Sequence, residues 1–275
     1  MDERPIGFFD SGLGGLTCIP HIMRSLPGER IIYFGDTART PYGSKAPRTI
    51  LGFAREIADF LVAKGVKMIA IACNTVSSIA MDDLRERHPG IPILGIIEPA
   101  IAAVAATCTA GSHVGVIGTK ATIGSEAYPK MLLRSSPGLD VYGQACPALV
   151  PLIEEGIIQH EIMDLTLRYY LEQFLSYNNI DTLVLGCTHY PLVRRNIEKL
   201  YPGLRIIDPS EEMAGSVTGA LVRGGLCAEG PGQGENIFYA SDLSENFMNM
   251  IQRIFAGSDL RVTFKTVDIE EMRAE

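Results

Sequence analysis

The sequence is poor in the features that would place it in several large classes. Its six cysteines, at 18, 73, 108, 146, 187 and 227, lie far apart with no C-x-x-C, and its five histidines include no pair at metal-ligand spacing. Neither a disulfide framework nor a metal site is expected. Positive charge is also scarce, with 24 Lys and Arg against 32 Asp and Glu. The net charge of -8 repels phosphate backbones and anionic bilayers, so neither nucleic acid nor a membrane is an expected partner. The most apolar stretch, Ile93 to Ala106, is interrupted by Glu98-Pro99, and the opening MDERPIGFFD lacks the basic n-region of a signal peptide. These absences predict a soluble cytoplasmic protein, in which a lone Cys is by default a small buried hydrophobe. Polar low-complexity tracts are missing too, and 275 residues at 47% hydrophobic suffice for one large domain or two modest ones.

What is present is a rhythm. Short β-rich apolar runs, IGFF, IIYFG, MIAIA, ILGII, VGVIG, TLVLG and RIID, alternate with segments of helical spacing. Ile50, Ala54, Ile57 and Leu61 share one helix face that stops at Gly65; Val193, Ile197 and Leu200 share another that stops before Pro202-Gly203. Such alternation predicts an α/β fold with parallel sheets.

The rhythm repeats. FLVAKGVKMIAIACNT (60–75) aligns without gaps on FLSYNNIDTLVLGCTH (174–189), bringing Cys73 onto Cys187, and IGFFDS (6–11) corresponds to VGVIGT (114–119). Two similar doubly wound parallel-sheet domains related by a pseudo-twofold are therefore expected, with a site at their interface. The tail from 210 has no counterpart in the repeat. A helix from Ser210 to Arg223, a Gly-rich link, a strand NIFYAS and a helix bearing Phe247, Ile251 and Ile254 are expected to return to the first domain. That gives domains of 1–98 with 209–275 and of 99–208, with crossings at Glu98-Pro99 and Asp208-Pro209.

In parallel α/β units, sites collect beyond the carboxyl ends of strands. Cys73 and Cys187 both end apolar strands, and the residues after them, Asn74-Thr75 and Thr188-His189, are expected to open helices whose unpaired N–H groups lower a thiol pKa. Two thiols facing one molecule from opposite domains suit inversion of a stereocentre: one removes a proton while the other delivers one to the opposite face. Asp10-Ser11-Gly12 with Gly14-Gly15 could present Asp10 and Ser11 to the site or be a structural turn. The dinucleotide fingerprint fails there, because position 17 is Thr, and no Gly-Lys-Ser/Thr follows. Thr119 and Thr122 occupy the matching turn of the second copy and offer hydroxyls to an anion. His189 could pair with Cys187 or be a helix-start histidine bonded to a carbonyl. Pattern alone does not choose between Glu154 and Glu155.

FDSGLGGLT, YFGDTARTPYGSK, ACNTVSS, GIIEP, VGVIGTKATIGS, CPALVPLIEEG and LGCTHYPL occur in the order seen in bacterial glutamate racemases, which the chain resembles over almost its whole length. The resemblance implies interconversion of L- and D-glutamate without pyridoxal phosphate or any other cofactor, supplying D-glutamate for peptidoglycan. It maps the acid/base thiols to Cys73, for the D-isomer, and Cys187, for the L-isomer. Asp10 resembles the carboxylate beside the first thiol, and Glu154 and His189 the assistants of the second. Substrate contacts map to Asp10, Cys73, Cys187 and His189 and to Ser11, Pro41, Tyr42, Gly43, Asn74, Thr75, Thr119, Thr122 and Thr188, the latter set neutral donors rather than Arg or Lys. Similar enzymes are often homodimers. Two departures stand out: Val76 where the family more often has Ala, and a start so near the first strand that activation through an N-terminal extension is not expected. The rival expectations are a racemase of the same mechanism preferring aspartate, a non-catalytic two-lobed amino-acid-binding protein, and a Cys73–Cys187 redox switch.

Overall fold

The computed structural model describes residues 2–230, 235–255 and 262–274. Residues 231–234 of the Gly-rich link, and the side chain of Phe247, lie outside what it describes. The strands are β1 (Ile6–Asp10), β2 (Ile31–Gly35), β3 (Met68–Ile71), β4 (Ile93–Gly95), β5 (His113–Gly118), β6 (Asp140–Ala145), β7 (Thr182–Gly186), β8 (Arg205–Ile207), β9 (Asn236–Ala240) and β10 (Val262–Thr266).

They form two all-parallel sheets, one of order β10-β9-β2-β1-β3-β4 and one of order β6-β5-β7-β8. Laid side by side, β2-β1-β3-β4 and β6-β5-β7-β8 match strand for strand, with β1 on β5 and β3 on β7 as the repeat requires. β9 and β10 extend the first sheet beyond β2. Strands β1, β2 and β7 are buried at every residue, because helices cover both faces of a parallel sheet; hence their unbroken rather than alternating apolar runs.

The helix Pro47–Ala63 shows how the sequence sets an element. Pro47 fixes the first turn, the predicted face of Ile50, Ala54, Ile57 and Leu61 is buried, and Gly65 leaves it at φ +73°, where a side chain would be strained. Each such fully buried aliphatic contributes about 1.5–3 kcal/mol. The predicted face of Val193 and Ile197 is likewise buried, but it is divided between a 3-10 turn, Tyr190–Val193, and the helix Arg194–Leu200.

The chain leaves the first sheet through the helix Ile97–Thr107 and returns through Pro209–Gly224, and these two helices pack against each other. ILGII is a strand only over Ile93–Gly95. Glu98-Pro99 lies in the first turn of the following helix, where Pro costs little, rather than in an irregular hinge. Asp208 caps the returning helix by accepting from the Ser210 N–H at 2.9 Å.

Candidate active site

The doubly wound order dictates where a ligand can sit. In each sheet the chain reverses winding direction beside the first strand of the unit, so a crevice opens past the carboxyl ends of β1 and β3 in one, and of β5 and β7 in the other. Asp10 ends β1 and Cys73 lies two residues beyond β3; Thr119 follows β5 and Cys187 follows β7. The two crevices face each other across one cavity of about 130 Å³.

Ser11, Pro41, Tyr42, Gly43, Cys73, Asn74, Thr75, Thr119, Cys187, Thr188 and His189 all line that cavity. Asp10, Thr122 and Glu154, expected among the site residues, are not on its wall and stand directly behind it. Asp10 is fully buried, accepts from the Gly12 N–H at 3.0 Å and is reached by the Thr188 hydroxyl at 3.4 Å. Burial pushes its carboxyl up from the ordinary carboxylate range, against the His189 charge and the N–H groups of Gly15, Gly12 and Ser11.

The two thiols have different surroundings. Cys73 caps the helix Asn74–Ser77, its sulfur accepting from the Val76 N–H at 3.5 Å and donating to the Ser11 hydroxyl at 3.3 Å. The thiol was expected to be acidified by this helix start. Instead burial, with the Asp10 carboxylate beside it, pushes its pKa up to about 12; a helix of four residues offers too little dipole to offset loss of water. Cys187 does not open a helix. It enters an irregular turn, and helical structure begins only as the 3-10 turn at Tyr190.

His189 supplies what the helix start does not. Its Nδ1 is 3.9 Å from the Cys187 sulfur and its Nε2 is 3.0 Å from Glu154 Oε1. Burial alone would push the imidazole pKa down, yet hydrogen bonds to Cys187 and Glu154, and their charges, raise it to about 10. Of the two candidate glutamates, Glu154 reaches the histidine, while Glu155 is exposed at the helix end.

Hydroxyls join the units. Thr75, from the first, lies 3.0 Å from Thr119 and 3.1 Å from Thr122 of the second, with Thr119 and Thr122 3.0 Å apart. Two glycines permit this closeness. A Cβ on Gly14 would come within 2.3 Å of Thr188 Oγ1 and 2.5 Å of His189 Nδ1, and one on Gly43 within 2.5 Å of Thr119 Cβ. The Gly14-Gly15 segment thus serves as a close-packed 3-10 turn, Gly14–Cys18.

Sequence reasoning missed part of the wall. Lys120, exposed, and the Pro147, Val150 and Pro151 side also line the cavity, so the site is not built from neutral donors alone. CPALVPL held the signal for that wall, but Lys120 follows Thr119 as an ordinary helix-surface residue. Among the described residues no cluster of three His, Cys, Asp or Glu could hold a metal ion, and no helix is long and apolar enough to cross a membrane.

The Asp/Glu/Hydantoin racemase family matches residues 16–217 of the chain. The sequence is 44% identical over 259 residues to a glutamate racemase of Chlorobaculum tepidum, covering 94% of each chain. It is 44% identical over 258 residues to one of Geobacter metallireducens, again over 94% of each. Its structure matches the crystal structure of glutamate racemase from Francisella tularensis in complex with D-glutamate with a TM-score of 0.91, at 37% identity, covering 98% of this chain and 100% of that one.

Proposed function

The chain belongs to the Asp/Glu/Hydantoin racemase family, and from that membership and the paired thiols of its cleft we propose that it is a glutamate racemase working by two-thiol proton transfer without a cofactor. The observation that carries this reading is the placement of Cys73 and Cys187, one from each sheet, on the wall of a single cavity.

In this reading the α-carbon of glutamate lies between the two sulfurs. One, as thiolate, takes the α-proton; the other, as thiol, delivers a proton to the opposite face. Cys187 would act on the L-isomer and Cys73 on the D-isomer. Cys73, held up at about 12, is a proton donor in the cleft as it stands. A substrate ammonium near Cys73 and Asp10 would bring that pKa down toward the working range. The His189 imidazolium, kept charged by Cys187 and Glu154 together, sits where negative charge develops on the Cys187 sulfur. Thr75 and Thr119, with the N–H groups at the helix starts after Cys73 and Thr119, offer donors to the carboxylates. Such donors stabilise the carbanion-like transition state where water is excluded. Asp10 and Thr122, behind the wall, position Thr188 and Thr75.

The same reading gives domains of 1–98 with 209–275 and of 99–208 closing over the substrate. It makes the protein a cytoplasmic, homodimeric enzyme that supplies D-glutamate for peptidoglycan and binds neither nucleic acid nor membrane.

The test is incubation with L-glutamate in deuterated buffer, following α-proton loss by NMR together with optical rotation, for the wild type, Cys73→Ser and Cys187→Ser. Exchange with racemisation is expected in the wild type, reduced about 10²- to 10⁴-fold in each variant. Binding without exchange would overturn the reading, and faster exchange on L-aspartate run in parallel would move the substrate.

A further inference from the structure

Asn74 and Tyr128 form a buried contact between the two units that none of the roles above uses. Asn74 follows Cys73 at the end of the first sheet, is 2% exposed and lines the cavity. Tyr128, in the helix Ala127–Ser135 of the second unit, is 1% exposed, and its hydroxyl donates to Asn74 Oδ1 at 2.6 Å. Its ring also lies over Gly186, the last residue of β7 before Cys187, so close that a Cβ there would approach the ring to 3.3 Å. One side chain thus touches the strand end that carries one thiol and the residue that follows the other.

The contact fixes the orientation of an otherwise ambiguous group. An amide can turn either its oxygen or its nitrogen toward a partner, and a hydroxyl can in general donate or accept. Here the Tyr128 hydroxyl donates and the Asn74 carbonyl accepts, at 2.6 Å. The other end of the amide, Nδ2, is then directed away from Tyr128. It is buried and has no hydrogen-bond partner. An amide donor left unpaired in a cavity wall costs free energy that a ligand acceptor would recover.

We infer that Tyr128 is a positioning residue: its hydroxyl, reaching across from the second unit, holds the Asn74 amide so that Nδ2 is the donor offered to a carboxylate of the bound amino acid. The inference rests on reading the cleft as an amino-acid site, and it gives the closed arrangement of the two units a direct effect on binding. Only when the helix bearing Tyr128 is docked is the amide held in the donating orientation.

The test reads equilibrium binding of glutamate, in an active protein the equilibrated isomers, and not a rate. L-Glutamate is titrated calorimetrically into wild type, Tyr128→Phe, Asn74→Ala and the double variant, with circular dichroism as a check on folding. Tyr128→Phe keeps the ring and is expected to weaken binding about tenfold, Asn74→Ala by at least as much, and the double variant no more than Asn74→Ala alone. A merely structural tyrosine would give additive losses. Unchanged affinity in Tyr128→Phe, or additive losses, would overturn the inference. Should Tyr128→Phe fail to fold, the Asn74 side-chain NH₂ resonances of the wild type, assigned by their loss in Asn74→Ala, decide the matter: they must shift on adding L-glutamate, and unshifted resonances overturn it. Deuterium exchange measured on the same wild-type sample keeps the two readings apart. Non-additive binding without exchange would remove the racemase and leave the positioning role, whereas exchange with additive binding would do the reverse.

Discussion

His189 is a buried cation held between an acid and a thiol, and this makes the site sensitive to pH in a defined direction. Its pKa is about 10 in the folded chain and about 6.5 unfolded. A group whose pKa is raised by folding contributes stability that is fully present below the unfolded value and is lost as pH rises through the folded one. The contribution should therefore decline between about pH 6.5 and 10 and amount to a few kcal/mol at most. Cys73, pushed up to about 12, adds a loss of the same sign where unfolded thiols ionise, above about pH 8.5. Glu154→Gln separates the two. It removes one of the two groups that raise His189, leaving Cys187 in place and Cys73 untouched, so urea midpoints at pH 6 and pH 9.5 should differ less in the variant than in the wild type. Equal differences would mean that Glu154 does not hold the proton on His189. Cys73 also marks a limit on reading the sequence. Its place after an apolar strand was legible, but the balance between a short helix start and full burial was not, since burial depends on residues such as Asp10 and Tyr42 that are distant in sequence.

At the scale of elements, the 3-10 turn Gly14–Cys18 of the first unit packs against the turn after β7 that holds Cys187, Thr188 and His189. The Thr17 hydroxyl, which donates to the Gly14 carbonyl at 2.8 Å, also reaches the Thr188 carbonyl at 3.2 Å across the join. Gly14→Ala would drive a methyl group into Thr188 Oγ1 and the His189 ring. Thr188 and the imidazole must then shift from the places they hold beside Cys187. Overpacking of this kind costs about 1–3 kcal/mol, and a misplaced catalytic group about 10²-fold in rate. Gly14→Ala should therefore lower the melting temperature by several degrees and kcat by roughly that factor, measured by thermal unfolding and by the exchange assay. A variant with wild-type kcat would show that the turn only fills space. The element map itself was largely legible, because apolar runs with helical intervals specify parallel strands and the 60–75 and 174–189 match put β3 on β7. The helix expected after Cys187 was not there. The same alignment that pairs the thiols hides a 3-10 turn, since Tyr190 and Pro191 change the local backbone without altering the apolar pattern.

At the scale of the whole molecule, the two units meet across the cleft through the Thr75, Thr119 and Thr122 hydroxyls, the Tyr128–Asn74, Thr188–Asp10 and Thr17–Thr188 hydrogen bonds, and the packing of Gly43 on Thr119. These contacts are polar or close-packed, whereas the two crossing helices, Ile97–Thr107 and Pro209–Gly224, pack directly on each other. Motion should therefore pivot about the helix pair and open at the hydroxyl side, where hydrogen bonds exchange readily with water. The cavity, of about 130 Å³, is only partly enclosed, and motion of this kind would widen it. Binding then adds carboxylate contacts to both sides of the seam, and a ligand that touches both units favours the closed state by its differential affinity. A compact chain of this length has a radius of gyration of about 19 Å. Small-angle scattering should give a larger value without substrate than that calculated from the closed structure, and glutamate should lower it toward the calculated one. Thr75→Ala, which removes the hydroxyl shared by Thr119 and Thr122, should raise the glutamate concentration needed for the change. Identical scattering with and without saturating glutamate would exclude a large closure.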